Sequence, residues 1–152
     1  MATEFFRAAE TCPAGSEFVL QSFLDQLNFN DAGLIPVIAQ QYDSGQVLMM
    51  AWMNAEAIDR TLASGRMTYW SRSRRCFWRK GESSGHSQLL LEMRVDCDGD
   101  SLLCLVDQIG PACHTGRSNC FYFSVRPDEQ LVRVNEDLPA GSGRTGEIES
   151  IG

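Results

Sequence analysis

Apolar residues along this chain come in short runs broken by Gly, Asn, Asp and Ser, the rhythm of strands rather than of long helices. "LIPVIAQQY" (34–42) and "VLMMAW" (47–52) are two such runs divided by the turn "DSGQ", which predicts a hairpin. Asn54 stands where it can cap a helix over "AEAIDRTLASG" (55–65), ended by Gly65. "MTYWSR" (67–72) and "RCFWRK" (75–80) read as aromatic-rich strands joined by a basic turn. Beyond the loop "GESSGHS" (81–87), strands are expected at "QLLLEMRVDC" (88–97), "SLLCLVDQI" (101–109) and "CFYFSVR" (120–126). The break "DGDS" makes the first two of these an antiparallel hairpin. Phe18, Leu20, Phe23, Leu24 and Leu27 recur at roughly helical spacing, so residues 1–30 are expected to be helical. From Pro127 the chain turns polar, and "PAGSGRTGEIESIG" is expected to be a mobile tail. The fold class predicted is mainly β with α. Its six or seven mostly antiparallel strands should form a closed or half-closed barrel with a helix against it.

Length and charge narrow the function. The 152 residues suit one domain, and 43% hydrophobic with 22% charged content is ordinary for a soluble globular protein. No apolar run is long enough for a membrane span, and the early Glu4 does not suit a secretory leader, so an intracellular protein is expected. In a reducing compartment six cysteines point to metal ligation, catalysis or burial rather than to disulfides. A formal net charge of −7 opposes a large nucleic-acid footprint. Yet six of the thirteen basic residues (Arg66, Arg72, Arg74, Arg75, Arg79 and Lys80) fall within fifteen positions. A local basic patch on an acidic protein suits a small anion such as a phosphate ester. The alternative is a single-stranded nucleic-acid-binding β-barrel that uses the basic, aromatic "YWSRSRRCFWRK".

The densest chemistry lies in "VDCDGDSLLCLVDQIGPACHTGRSNC" (95–120). Asp96, Asp98 and Asp100 alternate, so in a strand or the turn leaving it their carboxylates can converge; hard oxygens favour Mg²⁺, Ca²⁺ or Mn²⁺. An EF-hand loop fails here, because its sixth position is Ser101, its twelfth is Asp107, and both flanks read as strands. A solvated acidic turn is the plain competing reading. Cys97 should face away from the aspartates, and Cys104 sits in an apolar alternating strand as a small buried hydrophobe. Cys97, Cys113 and Cys120 form a plausible three-thiolate set without finger spacing, the ligand count of a catalytic zinc with a vacant fourth position. Simple burial of the cysteines competes with that, and Cys12 and Cys76 are assigned to burial outright. His114, beside Cys113, is a candidate general acid–base. In the loop 81–87, Ser83, Ser84 and His86 could cradle a phosphate, against an ordinary Gly-Ser turn.

Three stretches together carry a resemblance: "GLIPVIAQQYDSGQVLMMAWMNAEAI", "YWSRSRRCFWRKGESSGHSQ" and "VDCDGDSLLCLVDQIGPACHTGRSNCFYF". The chain resembles phosphoribosyl-AMP cyclohydrolase of histidine biosynthesis from about residue 28 to 126. Residues 1–27 are then an N-terminal extension and 127–152 a polar tail, too short for the second domain some relatives carry, so a monofunctional form is expected. The resemblance implies a cytoplasmic homodimer whose fold is an antiparallel β pseudobarrel capped by a helix. It implies zinc held by Cys97 of one subunit with Cys113 and Cys120 of the other, Mg²⁺ on Asp96, Asp98 and Asp100, and His114 as the catalytic histidine. The substrate implied is an AMP whose adenine N1 bears a second phosphoribosyl group. Arg72, Arg74 and Lys80 are candidates for its phosphates, and Trp70 or Trp78 for stacking on the purine. Ser83 stands where the family often has Thr, and Trp52 where another aromatic is common; both keep the chemical character.

Overall fold

The computed structural model describes residues 3–140. Two short helices, α1 (Glu4–Ala9) and α2 (Leu20–Leu24), precede the hairpin β1 (Ile35–Gln41) and β2 (Val47–Met53). Helix α3 (Ala55–Ser64), the ribbon β3 (Thr68–Ser71) and β4 (Cys76–Arg79), and the hairpin β5 (Gln88–Val95) and β6 (Leu102–Gln108) follow. A last hairpin joins β7 (Phe123–Arg126) to β8 (Leu131–Val134).

The four-stranded sheet runs β2-β1-β6-β5. Both outer pairs are antiparallel, but β1 and β6 at the centre are parallel, Val37 opposite Leu102 and Ala39 opposite Cys104. The expectation of mostly antiparallel strands is corrected at this pair. Parallel neighbours need a long crossover, here α3 and the four strands β2 to β5, and no local pattern announces such a pairing. Ile35, Val37 and Ala39 of β1 and Leu102, Cys104 and Val106 of β6 turn one face into the core. Burying each larger aliphatic among them is worth about 1.5–3 kcal/mol.

Helix α3 begins and ends as expected: the Asn54 side chain accepts the Ala57 N–H at 2.8 Å, and Gly65 takes φ 74°. It seats Ala57, Ile58 and Thr61 in the core. The β3–β4 ribbon is tied to β5 through an Arg66–Leu89 bridge and the Met67 N–H on the Gln88 carbonyl at 3.0 Å. No ladder joins β3 to β2, so no closed barrel forms.

Three further expectations change. The N-terminal segment folds as α1 and α2 joined by loops rather than one helical stretch, its rings gathered as a cluster of Phe5, Phe6, Phe18 and Phe23. The segment after Arg126 opens with a turn and then β8, whose Val132 and Val134 pair with Val125 and Phe123. Of the expected tail, residues 141–152 lie outside the described residues. Cys12 and Cys76 are exposed, because Cys12 lies in the loop after α1 and β4 has only β3 as a strand neighbour. No helix among the described residues is long and apolar enough to cross a membrane.

Candidate active site

The loop leaving β6 carries Cys113, His114 and Cys120, and its backbone is closely tied. Cys113 N–H donates to the Arg117 carbonyl at 3.1 Å, Gly116 N–H to the Cys113 carbonyl at 3.0 Å, and Cys120 N–H to Leu48 of β2 at 2.7 Å. These ties bring the two sulfurs near enough to shift each other's titration, and the Thr115 hydroxyl donates to the Cys113 sulfur at 3.1 Å. Burial pushes the Cys113 thiol up, but the hydrogen bonds from Thr115 and Cys120 and the Arg117 charge outweigh it and hold it below its usual value. Cys120 is pushed up to about 11 by the packing around its sulfur and by Cys113, with Lys80 acting the other way. Cys104 is fully buried as expected, its thiol pushed up to about 12 by burial alone.

Lys80, expected among the phosphate ligands, stands in a different place. Its Nζ donates to the Ala112 carbonyl at 2.5 Å and lies 5.9 Å from the Trp78 ring centre, near Cys113 and Cys120. Burial lowers its pKa, the two thiols partly restoring it. Such a cation balances thiolates, and its bond to Ala112 anchors the loop.

A second anchor comes from beyond β8. The Glu136 carboxylate accepts the Ser118 hydroxyl at 2.6 Å and the Ser118 N–H at 2.8 Å. Arg117 Nε donates to the Glu136 carbonyl at 2.6 Å, its guanidinium lies 4.0 Å over Tyr122, and Pro139 packs on Gly116. Glu136, Thr115 and Arg117 were missed in the sequence. Thr115 and Arg117 at least stand inside the Cys113–Cys120 loop, whereas nothing about an acidic residue in a polar tail marks Glu136.

Asp96, Cys97, Asp98, Gly99 and Asp100 form the turn leaving β5, the second of the two settings expected for them. Asp96 Oδ1 accepts the N–H groups of Asp100 at 3.0 Å and Ser101 at 3.3 Å. The neighbouring Asp96 side chain, then burial and the Asp96 and Asp98 charges, raise the Asp100 pKa. Burial pushes Asp96 up, yet the hydrogen bonds from Ser101 and Asp100 hold it below its usual value. Cys97 does not point opposite to all three aspartates, since its sulfur lies 3.9 Å from Asp98 Oδ1. Among the described residues, no three His, Cys, Asp or Glu side chains converge to hold a metal within one chain.

The loop 81–87 abuts the start of the cysteine loop. The His86 ring lies against Gly110, where an added Cβ would come 2.6 Å from His86 Cδ2, and Gln108 Nε2 donates to the His86 carbonyl at 3.1 Å. A buried chain continues inward, from Gln108 to Gln88 at 2.8 Å and from Gln88 to the Tyr69 hydroxyl at 2.6 Å. Ser83 and Ser84 are exposed, with Ser84 Oγ accepting the His86 N–H at 3.2 Å.

Two adjoining clefts that share Leu34 lie where the 28–36 segment meets the basic ribbon and the acidic turn. One, of about 490 Å³, is lined by Trp70, Arg72 and Arg75; the other, of about 310 Å³, by Trp52, Asn28 and Asp100. Arg72 bridges them, its guanidinium 4.7 Å over Trp52. Trp70 and Arg72 thus face a cleft as expected, whereas Arg74 lines neither, and Trp78 packs on buried Tyr69 at 4.9 Å.

The matched proteins settle the family. The family model for phosphoribosyl-AMP cyclohydrolase matches residues 49–122. Phosphoribosyl-AMP cyclohydrolase 2 of Pseudomonas fluorescens is 65% identical over 117 residues, covering 77% of this chain and 80% of that protein. The phosphoribosyl-AMP cyclohydrolase of Alcanivorax borkumensis is 63% identical over 131 residues, 86% of this chain and 91% of that protein. The chain belongs to the phosphoribosyl-AMP cyclohydrolase family. The stretch matching the cyclohydrolase model contains the three aspartates, Cys97, Cys113, His114 and Cys120, while Glu136, which anchors the cysteine loop, falls beyond its end. The nucleic-acid reading finds no support. Trp70 and Phe77 pack edge to face at 5.0 Å, and Arg60 covers Phe77 at 4.0 Å, so these rings do not form a free stacking row.

Proposed function

We infer that the chain hydrolyses the N1–C6 bond of the adenine ring in 1-(5-phosphoribosyl)-AMP, the cyclohydrolase step of histidine biosynthesis. It is an enzyme acting on a cyclic amidine. The observation that carries the site is the Cys113–Cys120 sulfur pair, with exposed His114 in the same loop.

Two adjacent thiols, one biased to the anion and both near Lys80, suit a soft divalent metal such as zinc. A third donor is needed from elsewhere, and Cys97 of a second copy is the proposed one, exposed on its turn. A homodimer has further support in the β7–β8 hairpin, whose Phe123, Val125, Val132 and Val134 are exposed. Zinc there would lower the pKa of water and so supply the nucleophile near neutral pH.

Asp96, Asp98 and Asp100 are proposed as ligands of Mg²⁺. The closeness of the Asp96 and Asp98 carboxylates to Asp100, which raises its pKa, marks negative charge that a hard cation would neutralise. Asp100 opens into the cleft with Trp52, where the cation would meet a substrate phosphate, and Arg72 and Arg75 hold the phosphate at the other end. Trp70 or Trp52 bounds the purine.

In the reaction, water oxygen bonds to C6. His114 takes one proton from the water and delivers it to N1 as the N1–C6 bond breaks, while the second passes from the new C6 hydroxyl to the exocyclic imino nitrogen. C6 stays on the imidazole as a carboxamide that keeps the exocyclic nitrogen, and N1 remains on C2 as the formimino group. Ser83, Ser84 and His86 hold the second phosphate beside the cysteine loop.

The test is turnover of phosphoribosyl-AMP followed by ultraviolet absorbance, with Mg²⁺ present, before zinc chelation, after it and after zinc is restored. Activity lost and regained with zinc is expected, together with large losses in Cys113→Ala and His114→Ala. Full turnover in both variants would refute the site.

A further inference from the structure

We propose that residues 3–30 are a brace that fixes the Asp96–Asp100 turn and thereby sets its affinity for a divalent cation. The cation clause rests on the magnesium reading above; the brace itself stands on contacts.

Gly99 is where the two meet. It takes φ 69°, and a Cβ added there would lie 2.1 Å from Cε2 of Phe6, so the ring sits directly on its α-carbon. On the other side, the Gly99 carbonyl accepts the Asn28 N–H at 2.8 Å. Phe6 is only 4% exposed and is gripped edge to face by Phe5 at 5.1 Å and Phe23 at 5.6 Å. The segment therefore holds the turn by a ring above one peptide and a hydrogen bond to the next. It also supplies Asn28 and Phe29 to the wall of the cleft into which Asp100 opens.

The turn needs such support. Three carboxylates crowd this one turn, and from within it is held by the N–H groups of Asp100 and Ser101 on Asp96 Oδ1, the Gly99 N–H on the Asp96 carbonyl at 3.1 Å and the Asp96 N–H on the Ser101 carbonyl at 3.1 Å. A site held in its binding geometry beforehand spends less of its ion affinity on ordering itself. Phe6 acts through Gly99, so it is a positioning residue, and it lies outside the stretch matched by the family model.

The experiment uses the full chain, metal-free, as wild type, Phe6→Ala, Phe6→Leu and Asp100→Asn. Amide hydrogen exchange at Gly99, Asp100 and Ser101 reads the turn, and calorimetric titration with MgCl₂ alone reads the ion. Phe6→Ala should speed exchange at those three amides by about tenfold or more while Cys104 and Val106 stay unchanged, and should weaken Mg²⁺ binding by about 10–100-fold, the usual cost of removing a ligand's outer support. Phe6→Leu, which stays buried but lacks the flat ring face, should fall between and keeps the test readable if Phe6→Ala does not fold. Unchanged exchange in a folded variant overturns the brace, and so does faster exchange with unaltered Mg²⁺ affinity. If wild type binds Mg²⁺ no better than Asp100→Asn, the magnesium reading falls, and exchange alone then decides the brace.

Discussion

Glu136 offers the sharpest energetic test of how the cysteine loop is held. Its carboxylate takes two hydrogen bonds from one residue, Ser118 Oγ at 2.6 Å and Ser118 N–H at 2.8 Å. Bonds to a charged acceptor contribute about 1.5–3 kcal/mol in sheltered settings, and Glu136 is partly open to water, so the lower end applies to the pair together. Glu136→Ala should then cost about 2 kcal/mol. Ser118→Ala removes only the hydroxyl bond, so the coupling in the double-mutant cycle should be about 1 kcal/mol. Urea unfolding of the four proteins measures it, provided the slopes agree. The pH dependence follows from the Ser118 side-chain bond, then its backbone bond, which hold the Glu136 carboxyl below its ordinary 4.5. A depressed folded pKa stabilises above the unfolded value and loses that contribution as pH falls through the folded one. The coupling should be full at about pH 7 and fade towards about pH 3. A coupling under about 0.3 kcal/mol, or one that stays constant over that range, would refute the anchoring role.

Two other variants probe the interior. Tyr69→Phe leaves the buried Gln88 oxygen without its 2.6 Å donor and should cost about 1–3 kcal/mol in urea unfolding, since little water can replace the hydroxyl; a change under about 0.5 kcal/mol would contradict it. Lys80→Met removes both the Ala112 anchor and the cation beside the sulfur pair. Zinc retained after dialysis should fall by about tenfold while the fold, by circular dichroism, persists; full retention would leave Lys80 without that role.

Much of the site chemistry was open to reading because it is local. Cys113, His114 and Cys120 stand close in sequence, and the loop returns its two sulfurs to one point through its own backbone bonds. The helix over 55–64 likewise announces itself by its Asn54 cap and Gly65 stop. The Lys80 contact is of the opposite kind: nothing in a basic cluster announces the bond from Lys80 to the Ala112 carbonyl, 32 positions away. The acidic stretch was read as a strand or the turn leaving it, and left-handed Gly99 makes it the turn.

By itself, then, the chain determined its strand runs, its capped helix, the family and the residue types proposed for the chemistry, because these depend on neighbours a few positions away. Only the tertiary structure decided the parallel β1–β6 pair, the open rather than closed barrel, and the braces of Phe6 on Gly99 and Glu136 on Ser118. Each of the packed contacts joins residues far apart in the chain. Such contacts exist only once the whole core has closed, and no short window of sequence encodes them.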